Sequence, residues 1–176
     1  ILIKELITNG AIYSLETQNS NGSVDDYYPY EQASGATAFT AYALINCLEM
    51  KSLNISKYHH EKFKKRLFWL SNHYETGRLS NHEALIILVL AKSSKFYNDN
   101  ILLNKAYERF ERLLNWHSEE GWFEEYGGFD LGYETLTFSC LVEINNFLPS
   151  IKSKLNKIIK KNAETIMSCI EPDYCL

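Results

Sequence analysis

A stretch of this chain occurs twice without a gap, 99 residues apart, and that repetition restricts the fold more than anything else in it. Residues 21–48 read NGSVDDYYPYEQASGATAFTAYALINCL and residues 120–147 read EGWFEEYGGFDLGYETLTFSCLVEINNF. Gly22 falls on Gly121, Tyr27 on Tyr126, Phe39 on Phe138, Ile45 on Ile144 and Asn46 on Asn145. The acids follow suit: Asp25 and Asp26 fall on Glu124 and Glu125, and Glu31 on Asp130. Each copy is a glycine-led acidic and aromatic loop that runs into an apolar helical stretch. Repetition on this scale belongs to arrays of similar supersecondary units, and it expects both loops on one side of the molecule.

Hydrophobic spacing fills in the array. Helices are expected over 1–16, 33–51, 57–76, 80–96, 99–117, 134–147 and 150–170, about seven in all. Those at 33–51, 80–96 and 134–147 are apolar nearly all round, whereas those at 57–76, 99–117 and 150–170 each carry one charged face. A helix apolar all round has to be buried on most sides, and an amphipathic one keeps a face in water. Strict alternation of the two kinds predicts an all-α domain of antiparallel hairpins, inner helices alternating with outer ones. The unit is roughly 45–50 residues. Ser80 and Glu83 have the spacing of a capping box at the start of the middle inner helix. The chain of 176 residues suits one domain spanning 1–176, with a real core.

Composition closes several classes. The net charge of −4 offers nothing to nucleic acid or to an anionic membrane. No apolar run approaches the roughly 20 residues of a membrane-spanning helix. Phosphate-binding glycine loops, the nucleophile-elbow motif, zinc-protease spacing and a diphosphate-binding DDxxD are all missing. The four cysteines, Cys47, Cys140, Cys169 and Cys175, form no CxxC pair and no zinc spacing. They read as free thiols, which favours a cytoplasmic setting, and no cofactor or metal is expected.

Both loops, NGSVDDYYPYEQ (21–32) and EGWFEEYGGFDLGYET (120–135), place a glycine, an aromatic or apolar group and then acids ahead of an inner helix. In this the chain resembles the α/α-toroid superfamily, which includes six-hairpin glycosidases, heparinase-like polysaccharide lyases, glucuronyl epimerases and terpene-cyclase toroids. A full ring of that kind has about twice as many helices, so seven correspond to a partial toroid. A second copy, or the other half of the ring, would cover its ends. The resemblance implies a polysaccharide-processing domain of lyase, hydrolase or epimerase type. Its site would be a cleft made by residues 21–32, 77–83 and 120–134.

Candidates for the chemistry follow from side-chain type. His82, at the start of the middle inner helix, suits a general acid or base. Glu31, Glu124 and Asp130 could supply the carboxyl pair of glycoside hydrolysis, and Tyr126 a phenolic acid or base. The same carboxylates would equally cap the helices they precede. Asp25, Asp26, Tyr27, Tyr28, Tyr30, Trp122 and Tyr133 would line a sugar subsite, since sugar C–H faces pack on aromatic rings. Arg78 could pair bidentately with a substrate carboxylate. Recurrence of Tyr27 and Tyr126 in both copies also suits a packing role for those rings. The alternative function is a non-catalytic helical-repeat module binding a glycan or protein partner. A terpenoid-cyclase-like toroid ranks third.

Overall fold

A computed structural model describes residues 2–170. Among them are seven α-helices and no strand: α1 (Leu2–Glu16), α2 (Ser34–Glu49), α3 (Lys57–Asn72), α4 (Ser80–Tyr97), α5 (Asn100–Leu114), α6 (Leu131–Ile144) and α7 (Lys152–Ser168). A short 3₁₀ turn over Pro149–Ile151 leads into α7.

Helix α4 is the centre of the packing. It touches α2 and α6 on its flanks and α3 and α5 behind, while α1, α3 and α5 succeed one another on the outside and α7 backs α6. The run Ala84–Ala91 explains why: every residue in it is apolar and every one is buried. A helix with no wet face is stable only when neighbours surround it. The expectation of burial on most sides holds for α4 and less for its flanking helices, since Phe39 on α2 and Val142 on α6 are each almost half exposed. At the far end of α4, Lys92 is buried between Glu49 of α2 and Glu143 of α6, so one cation ties the three helices together.

Helix ends depart from the sequence expectation where long-range contacts decide them. The Ser80–Glu83 capping box does not form: the residue before the helix, Leu79, offers no side-chain cap. Ser80 instead donates to Glu125 from the second long loop, and Glu83 turns inward to Arg109 and Arg112 of α5. Helix α3 stops at Asn72 rather than continuing to 76, and α6 begins at Leu131, with Asp130 accepting from the Tyr133 amide at 2.9 Å. Cys47, Cys140 and Cys169 are free thiols, and burial pushes that of Cys140 up to about 12. Cys175 and Ile1 lie outside the described residues.

The repeated glycines do the same job in both copies. Gly22 and Gly121 have φ of +99° and +97°. Gly22 lies so close to α3 that a Cβ there would sit 2.6 Å from backbone atoms of Lys65 and Arg66. Gly121 approaches α7 in the same way, 2.7 Å from Lys161 Cγ by the same construction. Each long loop is thus pressed onto the outer helix that follows its inner helix. Gly22→Ala combines a disfavoured φ with a backbone collision, so it should cost on the order of 3 kcal/mol, read as a lowered urea midpoint. An unchanged midpoint would mean that the loop is not anchored there.

Candidate functional site

Both long loops and the short α3–α4 connection meet at the starts of α2, α4 and α6. The α3–α4 connection lies between the two loops. Leu79 pairs with Glu125 in an isolated bridge, Arg78 bonds the Glu124 carboxylate, and the Tyr126 amide donates to the Arg78 carbonyl. On the other side, His82 lies against the start of α2. Gly35 makes room for its ring: a Cβ at that position would fall 2.7 Å from His82 Nε2.

A cleft of about 560 Å³ opens at this second junction. Asp26, Tyr27, Glu31 and Gln32 of the first loop form one wall. Ala33 and, from α2, residues 34–36 and Phe39 form the floor, with His73, Glu75 and His82 completing the lining. Of the candidates read from the sequence, Asp26, Tyr27, Glu31 and His82 line it. Arg78, Trp122, Glu124, Tyr126, Asp130 and Tyr133 are not among its lining residues, so the second loop does not wall this cleft as expected.

Most of the loop carboxylates already have work. Asp25 accepts from the Tyr30 and Gln32 amides at 2.8 and 3.0 Å and from Asn19 Nδ2 at 2.8 Å. Those bonds, the Gln32 amide foremost, hold its carboxyl below the usual range. Glu31 Oε2 accepts the amides of Asp26 and Tyr27 at 3.1 and 2.9 Å, with Tyr28 at 3.5 Å, folding its own loop rather than capping α2. Glu125, buried, takes the Ser80 hydroxyl at 2.8 Å and the Asn81 amide at 3.2 Å, so it caps α4 from a distant part of the chain. Glu134, also buried, accepts from the Phe123 amide and from Asn162. The repeated acids therefore occupy matching positions without sharing a role.

The repeated tyrosines are a correction. Tyr27 and Tyr126 do not pack the loops onto the helices; they stand 81% and 71% exposed, as do Tyr28 and Tyr30 nearby. The ring of Tyr126 meets that of Tyr133 at a tilt, centroids 5.6 Å apart. In the second loop the packing ring is Phe123, fully buried against His117, while Trp122 sits edge-on to Phe129.

Sequence reading missed Glu75. Its carboxylate bonds His82 Nδ1 at 3.1 and 3.3 Å through its two oxygens. The backbone beneath it is fixed by α5: Arg109 donates to the Leu70 and His73 carbonyls and Arg112 to the Glu75 carbonyl. A carboxylate only accepts, so in the neutral ring Nδ1 carries the hydrogen and Nε2 keeps its lone pair. Nε2 is also the nitrogen beside Gly35, at the floor of the cleft. The arrangement is that of an oriented base. His73, stacked on Trp69 at 4.2 Å, is held below its ordinary value by burial. The available signal for this geometry was a break in the repeat: Gly35 falls on Glu134, so where one copy buries a carboxylate the other has no side chain and the His82 ring takes the room.

Among the described residues no group of three or more His, Cys, Asp or Glu side chains is placed to hold a metal ion. Nor is any helix among the described residues long and apolar enough to cross a membrane. No family model, curated protein or solved structure matches this chain.

The different duties of neighbouring acids give a paired expectation. Glu125→Ala should cost about 2–3 kcal/mol, because it orphans the buried Ser80 hydroxyl and the Asn81 amide. Glu124→Gln only weakens a contact to an exposed arginine and should stay within about 0.5 kcal/mol of the parent. Chemical denaturation that ranks the two the other way round would contradict the assignment.

Proposed function

We propose that the chain is a polysaccharide-processing domain built as a partial α/α toroid, with His82 as its general base and Glu75 as the residue that orients it. Support for the toroid comes from the packing order, in which α4 adjoins α2 on one side and α6 on the other, and α3 adjoins α1 and α5. The uncovered apolar face of α1, with Leu2, Ile3 and Leu6, suits an arc closed by a second copy or by further hairpins.

The observation that carries the chemistry is the imidazole held by Glu75 over an open cleft with tyrosine on its rim. Two-carboxylate hydrolysis fits less well, since Asp25, Glu31, Glu125, Asp130 and Glu134 are engaged with backbone or helix ends. A base that removes a sugar C–H proton needs no carboxylate pair, and both elimination and epimerisation begin that way. Tyr27, on the first-loop wall of the same cleft, is the acid for the departing oxygen.

One observation favours the non-catalytic reading. Carboxylates spent on holding loops, together with exposed aromatics, also make a rigid glycan-binding surface. Incubation with a panel of acidic and neutral polysaccharides separates the two. The proposal expects new unsaturated chain ends from an acidic polymer. Binding without product would assign a binding module, and neither binding nor product would remove the carbohydrate reading.

A further inference from the structure

Helix α1 carries a glycine that its packing does not require. Gly10 sits in mid-helix, where glycine is the poorest residue after proline. A Cβ placed there meets no atom within 4 Å, so no close approach demands its absence. The 99-residue repeat sets Gly10, Ala11 and Ser14 against Arg109, Phe110 and Leu113 of α5. Those three are buried in the helix that backs α4. With small residues in their place, a groove of about 280 Å³ lies open between α1 and α2.

The groove has one polar end. Ser14 of α1 and Thr40 of α2 meet there, because Arg66 Nη1 bonds both hydroxyls, at 3.1 and 3.0 Å. The remaining lining is apolar apart from the Cys47 thiol, and it runs along α1 to Leu6. Ser14 and Leu6 are separated along the helix by roughly 12 Å.

Arg66 is fully buried, and a buried arginine is nearly always paired with an acid. Arg109, equally buried, has the Glu83 carboxylate at 2.7 Å. Arg66 bonds only neutral oxygens: Gln18 Oε1, the Ser14 hydroxyl and carbonyl, and the Thr40 hydroxyl. Burial pulls its guanidinium down to about 10. Thr40 passes its own hydrogen to the Ala36 carbonyl at 2.7 Å. The Ser14 hydroxyl accepts from Arg66 and has no acceptor of its own among the described residues. A hydroxyl polarised by a cation is a strengthened donor, and this one lines the groove.

We propose that the α1–α2 groove binds a medium-chain alkyl carboxylate, with the carboxylate on the Ser14 hydroxyl in front of Arg66 and the chain along Gly10 and Ala43 toward Leu6. The groove shares no residue with the cleft at His82, so the inference is independent of the carbohydrate reading. Charge selects this occupant. A carboxylate supplies the acceptor that Ser14 lacks and the negative charge that Arg66 lacks, in a poorly solvated place where their attraction is strong. A purely apolar chain or helix would seal the cation in without compensation, which is unfavourable. An alkyl ammonium would add a second positive charge.

The test titrates the full chain with decanoate, decanol and decyltrimethylammonium, each below its micelle concentration, and follows the Gly10 and Ala43 amides by NMR. Decanoate should shift both amides and saturate. Decanol should bind about tenfold more weakly, the loss of one bond to a charged group, and the ammonium should leave both amides in place. Gly10→Leu should fold, because its side chain enters open space, and should abolish binding by filling the groove. Ser14→Ala should lower decanoate to the affinity of decanol and leave decanol unchanged, a selectivity that a purely structural serine would not produce. No decanoate binding, equal affinity for all three amphiphiles, or undiminished binding by Gly10→Leu would overturn the proposal. A dimer in sedimentation that Gly10→Leu dissociates would also overturn it, by making the groove an interface between copies.

Discussion

Leu88→Asp is expected to leave the protein unfolded. Leu88 is buried at the middle of α4, the helix against which α2, α3, α5 and α6 all pack. An uncompensated buried charge costs about 3–5 kcal/mol, and loss of the leucine's packing adds about 2–5 kcal/mol. Together these match the whole stability of an ordinary domain, about 5–15 kcal/mol. Circular dichroism should show lost helix content and no cooperative transition, whereas Leu88→Met should fold like the parent, since it preserves volume. A cooperatively folding Leu88→Asp protein would refute the central place of α4.

His82→Ala is expected to abolish turnover while leaving the fold in place. Removal of a positioned general base typically costs about 10²–10⁴-fold in rate. The ring is partly exposed and its partner, Glu75, can be rehydrated, so stability should move little. Glu75→Gln separates orientation from chemistry. A glutamine amide can still meet Nδ1, yet it can satisfy either tautomer, so Nε2 is no longer fixed as the acceptor. Its rate should fall between those of the parent and His82→Ala, with substrate affinity retained. If both variants turn over as fast as the parent, His82 is not the base.

The fold was legible where a local rule and the tertiary structure agree. The ALIILVLA run of 84–91 is too apolar for any surface and became the buried centre of the molecule. Gly22 and Gly121 announced equivalent tight approaches, and both have positive φ against an outer helix. Legibility failed where a partner comes from far along the chain. Ser80 and Glu83 satisfy the capping-box spacing, but Glu125 and Arg109 compete for them across the fold and win. Spacing rules do not see a carboxylate 45 residues away. Glu75 fell within the helix expected over 57–76, whereas α3 ends at Asn72 and leaves it in the connection that reaches His82, and His82 itself stood out only by residue type and its place at the start of an inner helix. The exposed Tyr27 and Tyr126 show that recurrence in a repeat does not distinguish a packing ring from a presented one.

Proton removal by His82 is tested most directly by incubating the protein with an acidic polysaccharide in heavy water and reading C5 by NMR. The expected result is deuterium at C5 or a C4–C5 double bond in the product, each absent with His82→Ala. Cleavage that leaves C5 protonated and yields saturated ends would be hydrolysis, and it would contradict the assignment of His82 as the base.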